Sequence, residues 1–142
     1  MAVIYDPSRI KTVYTSKLGT TGEYLTKMAQ DNDALIAING GGFEDPNYVG
    51  NGATPLGITF SNGKLITSKT YKGQGGLIGF TQDDKLVLGK MTADQAKKQK
   101  IRDGVTFGPF LIINGKASSV SGNGGWGTAP VSYTHLRAHE TR

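Results

Sequence analysis

The chain has 142 residues, with 16 basic and 11 acidic side chains, a formal net charge of +5, 21 glycines and no cysteine. That length fits one small domain or most of one, and the lack of cysteine excludes disulfides, thiolate metal sites, iron–sulfur clusters and thiol nucleophiles. No apolar run approaches the ~18 to 20 residues of a membrane span, and glycine at about twice its usual share without a Gly-X-Y period points to many turns and close backbone approaches.

The opening Met1 to Asp6 is too short and acidic for a signal peptide. Val3-Ile4-Tyr5 and Lys11 to Thr15 read as short strands, separated by the turn signal Asp6-Pro7-Ser8. Thr20 and Glu23 have the spacing of a capping box, and Tyr24, Leu25, Met28 and Ala29 then recur at helical spacing until Asp31-Asn32-Asp33. Ala34 to Ile38 is a continuous apolar run that predicts a strand buried on both faces, and it ends directly in Asn39-Gly40-Gly41-Gly42-Phe43.

Three hairpins follow. Gly57 to Ser61 and Lys64 to Thr67 flank Asn62-Gly63, a pair suited to a turn that needs positive φ at both central residues. Leu77 to Thr81 and Lys85 to Leu88 flank Gln82-Asp83-Asp84, and Leu111 to Ile113 meets Lys116-Ala117 through Asn114-Gly115. Between the second and third, Thr92 and Gln95 form another capping box, with Ala93, Ala96 and Ile101 as the weak apolar face of a basic helix. Gly104 to Phe110 reads as a strand interrupted by Gly108-Pro109. The expected class is α+β, a mainly antiparallel mixed sheet with two short helices, forming an incomplete single domain.

The cluster Lys97, Lys98, Lys100 and Arg102 is the one concentration of positive charge, and it reads as a solvated helix face. Its aromatics are not interleaved with the basic residues, so no nucleic-acid partner is expected. Gly122 to Gly127 matches G-x-G-x-x-G, but Thr128-Ala129-Pro130 follows in place of a helix start, so no dinucleotide cofactor is expected. Val131 to Arg142 contains both histidines of the chain, His135 and His139. Their spacing places two imidazoles on one helix face, yet Glu140 follows the second histidine and no third ligand is evident, so no metal is assigned. The segment resembles a reading frame through adapter sequence, and residues 131–142 are expected to be a non-native tail.

Asn39 with Gly40, Gly41 and Gly42 places an amide and several N–H groups where no side chains obstruct a ligand, as an anion cradle requires; the same pattern also serves a tight turn that needs positive φ. Glu44 and Asp45 are carboxylates that a glycosidic-bond hydrolase could use, although neighbouring residues point apart and Asp45-Pro46-Asn47 is also a turn signal. A calcium role for Glu44, Asp45, Asn47 and Asn51 lacks the ligand spacing of a known loop. Trp126, the one tryptophan, can stack on a sugar face or fill a core or lid.

Taken in order, Ala37 to Phe43, Pro55-Leu56-Gly57, Asn62-Gly63-Lys64, Phe107 to Phe110 and Gly124 to Gly127 resemble the phosphodiester glycosidase family over about residues 3–130. This is the family of N-acetylglucosamine-1-phosphodiester alpha-N-acetylglucosaminidase, the lysosomal uncovering enzyme, and of bacterial relatives linked to exopolysaccharide. The resemblance implies hydrolysis of a glycosyl-1-phosphodiester in envelope or exopolysaccharide glycans, without a cofactor, by an exported or cell-surface protein. It makes Asn39, Glu44 and Asp45 the candidate catalytic residues. Gly40, Gly41, Gly42, Phe43, Gly57, Gly108, Pro109, Phe110 and Trp126 become candidate substrate contacts. In the family an arginine-bearing strand and an Asp-Gly-Gly segment follow the position of Pro130, so residues 1–130 are expected to be a partial domain and the chain as written to be inactive. The alternative is a non-catalytic carbohydrate or cell-envelope binding module.

Overall fold

The computed structural model of the chain describes residues 3–45, 50–73 and 75–118. Its elements are a 3-10 turn (Pro7–Arg9), α1 (Leu25–Asp31), β1 (Ile58–Ser61), β2 (Lys64–Ser68), β3 (Gly76–Thr81), β4 (Leu86–Gly89), α2 (Ala93–Lys98), β5 (Ile101–Phe107), β6 (Ile112–Ile113) and β7 (Lys116–Ala117). Five strands form one sheet in the order β2-β1-β5-β3-β4, and β6-β7 is a separate two-stranded ribbon. Every pairing among these strands is antiparallel, so the α+β class holds without the mixed character expected of the sheet.

The three hairpins form where their turn residues allow. Asn62 and Gly63 take φ of 48° and 75°, and Asn114 and Gly115 take 49° and 73°, the positive pair that matches the right-handed twist of the strands they join. In the turn between β3 and β4, Asp84 has φ of 59° and Thr81 Oγ1 accepts the N–H of Lys85 at 3.2 Å. The capping box of α2 closes in both directions: Thr92 Oγ1 accepts the Gln95 N–H, and Gln95 Oε1 accepts the Thr92 N–H.

Phe60, Leu77, Ala96 and Ile101 form the buried core, with Ile58, Leu65, Val87 and Met91 packed around them. Ala96 is the residue by which α2 seats on the sheet, and its small side chain lets the short helix approach closely. Ile101 is not on that helix, as its spacing suggested, but opens β5, because Lys100 turns the chain with φ of 54°.

Four expectations fail in the first third of the described chain. Val3 to Tyr5 and Lys11 to Thr15 are not strands; Asp6 caps a 3-10 turn instead, accepting the Ser8 N–H at 3.0 Å. Thr20 does not cap α1, which begins after Tyr24 without a side-chain cap. Glu23 is taken by Ser16, whose N–H and hydroxyl both bond its carboxylate, so it cannot close a capping box. Ala34 to Ile38 is not a buried strand: Leu35 is 89% exposed, and neither Ile36 nor Ile38 is covered. An apolar run becomes a strand only where a sheet edge offers it hydrogen bonds, and none of the five strands pairs with this one.

At the start of β5 a polar hub ties four segments together. Arg102 bonds Asp103, Asp84 and the carbonyls of Pro7 and Ile10, while Asp103 Oδ1 accepts the N–H groups of Thr12 and Asn62. Arg102 therefore does not belong to a solvated basic face, unlike the exposed Lys97, Lys98 and Lys100.

Candidate functional site

Of the residues singled out from sequence, Gly40, Gly41 and Gly57 meet the other end of β5, and Gly108 directly follows it. Gly40 and Gly41 lie against it: a Cβ on Gly40 would stand 3.4 Å from Val105 Cγ1, and one on Gly41 would stand 3.4 Å from the Thr106 carbonyl. Neither of them nor Gly42 has positive φ, so the run is not the positive-φ turn that was one reading of it. Asn39 is exposed, and its side chain bonds no other described residue. The N–H groups of Gly40 and Gly41 likewise donate to no described residue.

The strand-like continuation is short. Gly42 accepts the Leu56 N–H at 2.9 Å, Phe43 bridges Pro55, and the Glu44 N–H reaches Thr54 at 2.8 Å. This ladder delivers Gly57 to β5 with φ of +71°, where a Cβ would fall 2.4 Å from Thr106 Cβ. Thr106 Oγ1 accepts the Ile58 N–H at 2.8 Å and donates to the Ile58 carbonyl at 3.1 Å, which fixes the end of β1. Past β5, the Gly108-Pro109 peptide is cis, Gly108 is buried, and Gly75 packs on Phe107 and Gly108 so closely that a Cβ there would stand 2.5 Å from Gly108 Cα. Pro109 and Phe110 are half-buried beyond it.

Glu44 and Asp45 are used separately. Glu44 Oε2 meets Lys69 Nζ at 2.7 Å, with the two side chains 41% and 47% exposed, whereas Asp45 Oδ2 accepts the Gly50 N–H at 3.0 Å. The calcium reading finds no support in the placement of Asn51, whose side chain bonds the Gly22 N–H and the Thr20 carbonyl. Among the described residues no three His, Cys, Asp or Glu side chains are grouped to hold a metal ion. Asn47, Trp126 and the segment 131–142 lie outside the described residues.

A cleft of about 510 Å³ opens beside Gly57 and Thr106, between the end of β2, the start of β3 and the approach to α2. That volume lies within the range of small-molecule sites. Gly57 is the one residue expected from sequence that lines it; Lys69, Tyr71 and Lys90 were not anticipated. No motif marks these three. Only the ladder that brings Glu44 to Lys69 reveals that the lysine faces both the carboxylate and the cleft.

The geometry thus defines a glycine-lined strand end flanked by a carboxylate, an ammonium and a cleft. The chain belongs to the phosphodiester glycosidase family, whose model matches residues 32–134. Neither the curated proteins nor the solved structures contain a match to the chain. The matched span includes the whole of the Gly40 to Glu44 ladder, the cleft and β5. Among the described residues no helix is long and apolar enough to cross a membrane.

Proposed function

We propose that this domain hydrolyses glycosyl-1-phosphodiester linkages of envelope or exopolysaccharide glycans, as a protein exported to or held at the cell surface. Water adds to the anomeric carbon, the bond from that carbon to the phosphate oxygen breaks, and the products are a free sugar and a phosphomonoester. The observation that carries the reading is the convergence of Gly40, Gly41, Gly57 and Gly108 on the last residues of β5, beside the Glu44–Lys69 pair.

In this reading the Asn39 amide and the N–H groups of Gly40 and Gly41 hold oxygens of the substrate, as donors without other partners among the described residues. Phe43 and Phe110 offer apolar surface to the sugar, with Pro109 beside them. Glu44 is the carboxylate for proton transfer, because it is paired with Lys69, which lines the cleft; Asp45, turned to Gly50, shapes the loop. Trp126 is kept as a further sugar contact.

The test is incubation of the unmodified chain with a set of glycosyl-1-phosphodiesters, followed by detection of reducing sugar and phosphomonoester. Turnover that falls at least about a hundredfold in Glu44→Gln supports the reaction and this assignment. The rival expectation, that the chain by itself is inactive, is overturned by any turnover. Without turnover, binding of the phosphodiester in preference to the matching neutral glycoside keeps the substrate class. Equal binding of the neutral glycan points to a non-catalytic carbohydrate module, and no binding of either overturns both readings.

A further inference from the structure

The cleft beside β5 has a charge that its surroundings do not cancel. Lys69 and Lys90 are the two charged side chains that line it. Lys69 is paired with Glu44, whereas Lys90 makes no ion pair or hydrogen bond with a described residue. The local balance is one positive charge, the complement of a monoanion. An ammonium carries three donors, and the contact with Glu44 uses one of those on Lys69.

The cleft also holds an orphaned polar atom. The Tyr71 hydroxyl is buried and has no hydrogen-bond partner among the described residues, a condition that disfavours the folded state when nothing compensates it. Burial pushes its pKa up, so it stays a neutral O–H donor. Gly73 packs against the ring so tightly that a Cβ there would meet the hydroxyl at 2.5 Å, which holds the phenol in the wall of the cleft. The remaining wall is apolar where Ile58, Leu77 and Met91 contribute.

We propose that this cleft is an oxyanion subsite in which Lys69 and Lys90 hold a singly charged phosphodiester group, with Lys69 also acting as the positioning residue for Glu44. The proposal deepens the hydrolase reading and rests on it for the role of Glu44, but the subsite is defined by binding alone. Two cations, one of them paired with a carboxylate, match the single charge of a diester better than the double charge of a phosphomonoester. The subsite therefore favours the substrate's phosphate over the product's.

The experiment is a titration of the full chain with dimethyl phosphate, read by backbone amide shifts, at constant ionic strength set with chloride. The expected result is saturable shifts at Gly57, Ser68, Lys69, Tyr71 and Lys90, weakened at least about fivefold in both Lys69→Met and Lys90→Met and unchanged in Lys98→Met on α2. Lys69→Arg is expected to keep dimethyl phosphate binding, and this rescue separates loss of charge from loss of structure. Shifts spread over every lysine-bearing surface, or unchanged binding in Lys69→Met with a spectrum otherwise like wild type, would overturn the subsite. Dimethyl phosphate binding in a chain that turns over no glycosyl phosphodiester keeps the subsite while the hydrolase reading fails. Turnover whose KM is unmoved by Lys69→Met does the reverse.

Discussion

Arg102 and Asp103 are adjacent in sequence, yet their side chains bond each other, Nε to Oδ2 at 2.8 Å. Neighbours on a regular strand point to opposite faces. The contact exists because the register of β3 against β5 slips between Phe80 and Thr81, opposite Asp103 and Ile101, so β5 carries an extra residue at Arg102. The bond to Asp103 is the largest influence raising the Arg102 pKa. Asp103 is nearly fully buried, so its carboxylate depends on this cation and on the N–H groups of Thr12 and Asn62.

Asp103→Ala is therefore expected to cost about 3 kcal/mol, since it takes one carboxylate from a largely buried guanidinium and leaves two N–H groups without their acceptor. Asp84→Ala, which removes a partner 37% exposed, is expected to cost less than about 1 kcal/mol. Urea midpoints compare the two. Equal losses would mean that Asp103 is not the centre of the hub.

Two glycines near the candidate site separate close packing from a binding role. Gly57→Ala places a Cβ 2.4 Å from Thr106 Cβ at positive φ and is expected to cost about 3 kcal/mol or more. Gly40→Ala meets only the Val105 methyl groups, at the ordinary contact distance of 3.4 Å, and is expected to fold within about 0.5 kcal/mol of wild type. Thermal unfolding of both variants checks this. A folded Gly40→Ala that has lost phosphodiester binding supports the cradle; unchanged binding removes Gly40 from it.

The two sequence capping boxes give opposite forecasts. Thr92→Ala removes a cap present in both directions and is expected to cost about 1 kcal/mol. Thr20→Ala removes no helix cap and is expected to stay within about 0.5 kcal/mol. Similar losses in a denaturant titration would contradict the assignment of Tyr24 as the N-cap of α1.

Glu23 accepts the Ser16 N–H at 2.7 Å, and this bond holds its pKa below the ordinary 4.5, chiefly against the opposing effect of desolvation. A carboxylate with a folded pKa lower than its unfolded one adds stability that is complete above the unfolded value and lost as pH falls through the folded value. A smaller protection factor for the Ser16 amide, its exchange rate taken relative to an unprotected amide at the same pH, is therefore expected as the pH drops below 4.5. Glu23→Gln should show the smaller protection factor already at neutral pH, with little further change on acidification. A wild-type Ser16 protection factor indifferent to acid would sink the linkage.

The hairpins and the α2 cap were legible because their signals are local. Asn-Gly at positive φ and a Thr-x-x-Gln box are satisfied by residues within a few positions, whatever surrounds them. The apolar run Ala34 to Ile38 was misleading for the opposite reason. Its pattern describes what a strand needs, but the pairing edge must come from elsewhere, and β5 has both its edges taken by β1 and β3. Glu23 shows the same on a smaller scale, since Ser16 competes for the carboxylate that the capping box required.

The candidate site divides in the same way. Asn39 to Glu44, Gly57 and Gly108 to Phe110 stood out in the chain because consecutive glycines and a Gly-Pro break are rare enough to carry meaning singly, and their order carried the family resemblance. Sequence alone thus determined the hairpins, the α2 cap, the glycine-rich segments and the family. Only the tertiary structure decided that Glu44 faces Lys69, that Asp45 turns away, and that Lys90 and Tyr71 share a cleft with Gly57. A turn or a cap is decided by backbone angles and neighbours a few residues away, whereas a charge pair between residues 44 and 69 exists only after the sheet has brought two distant segments together.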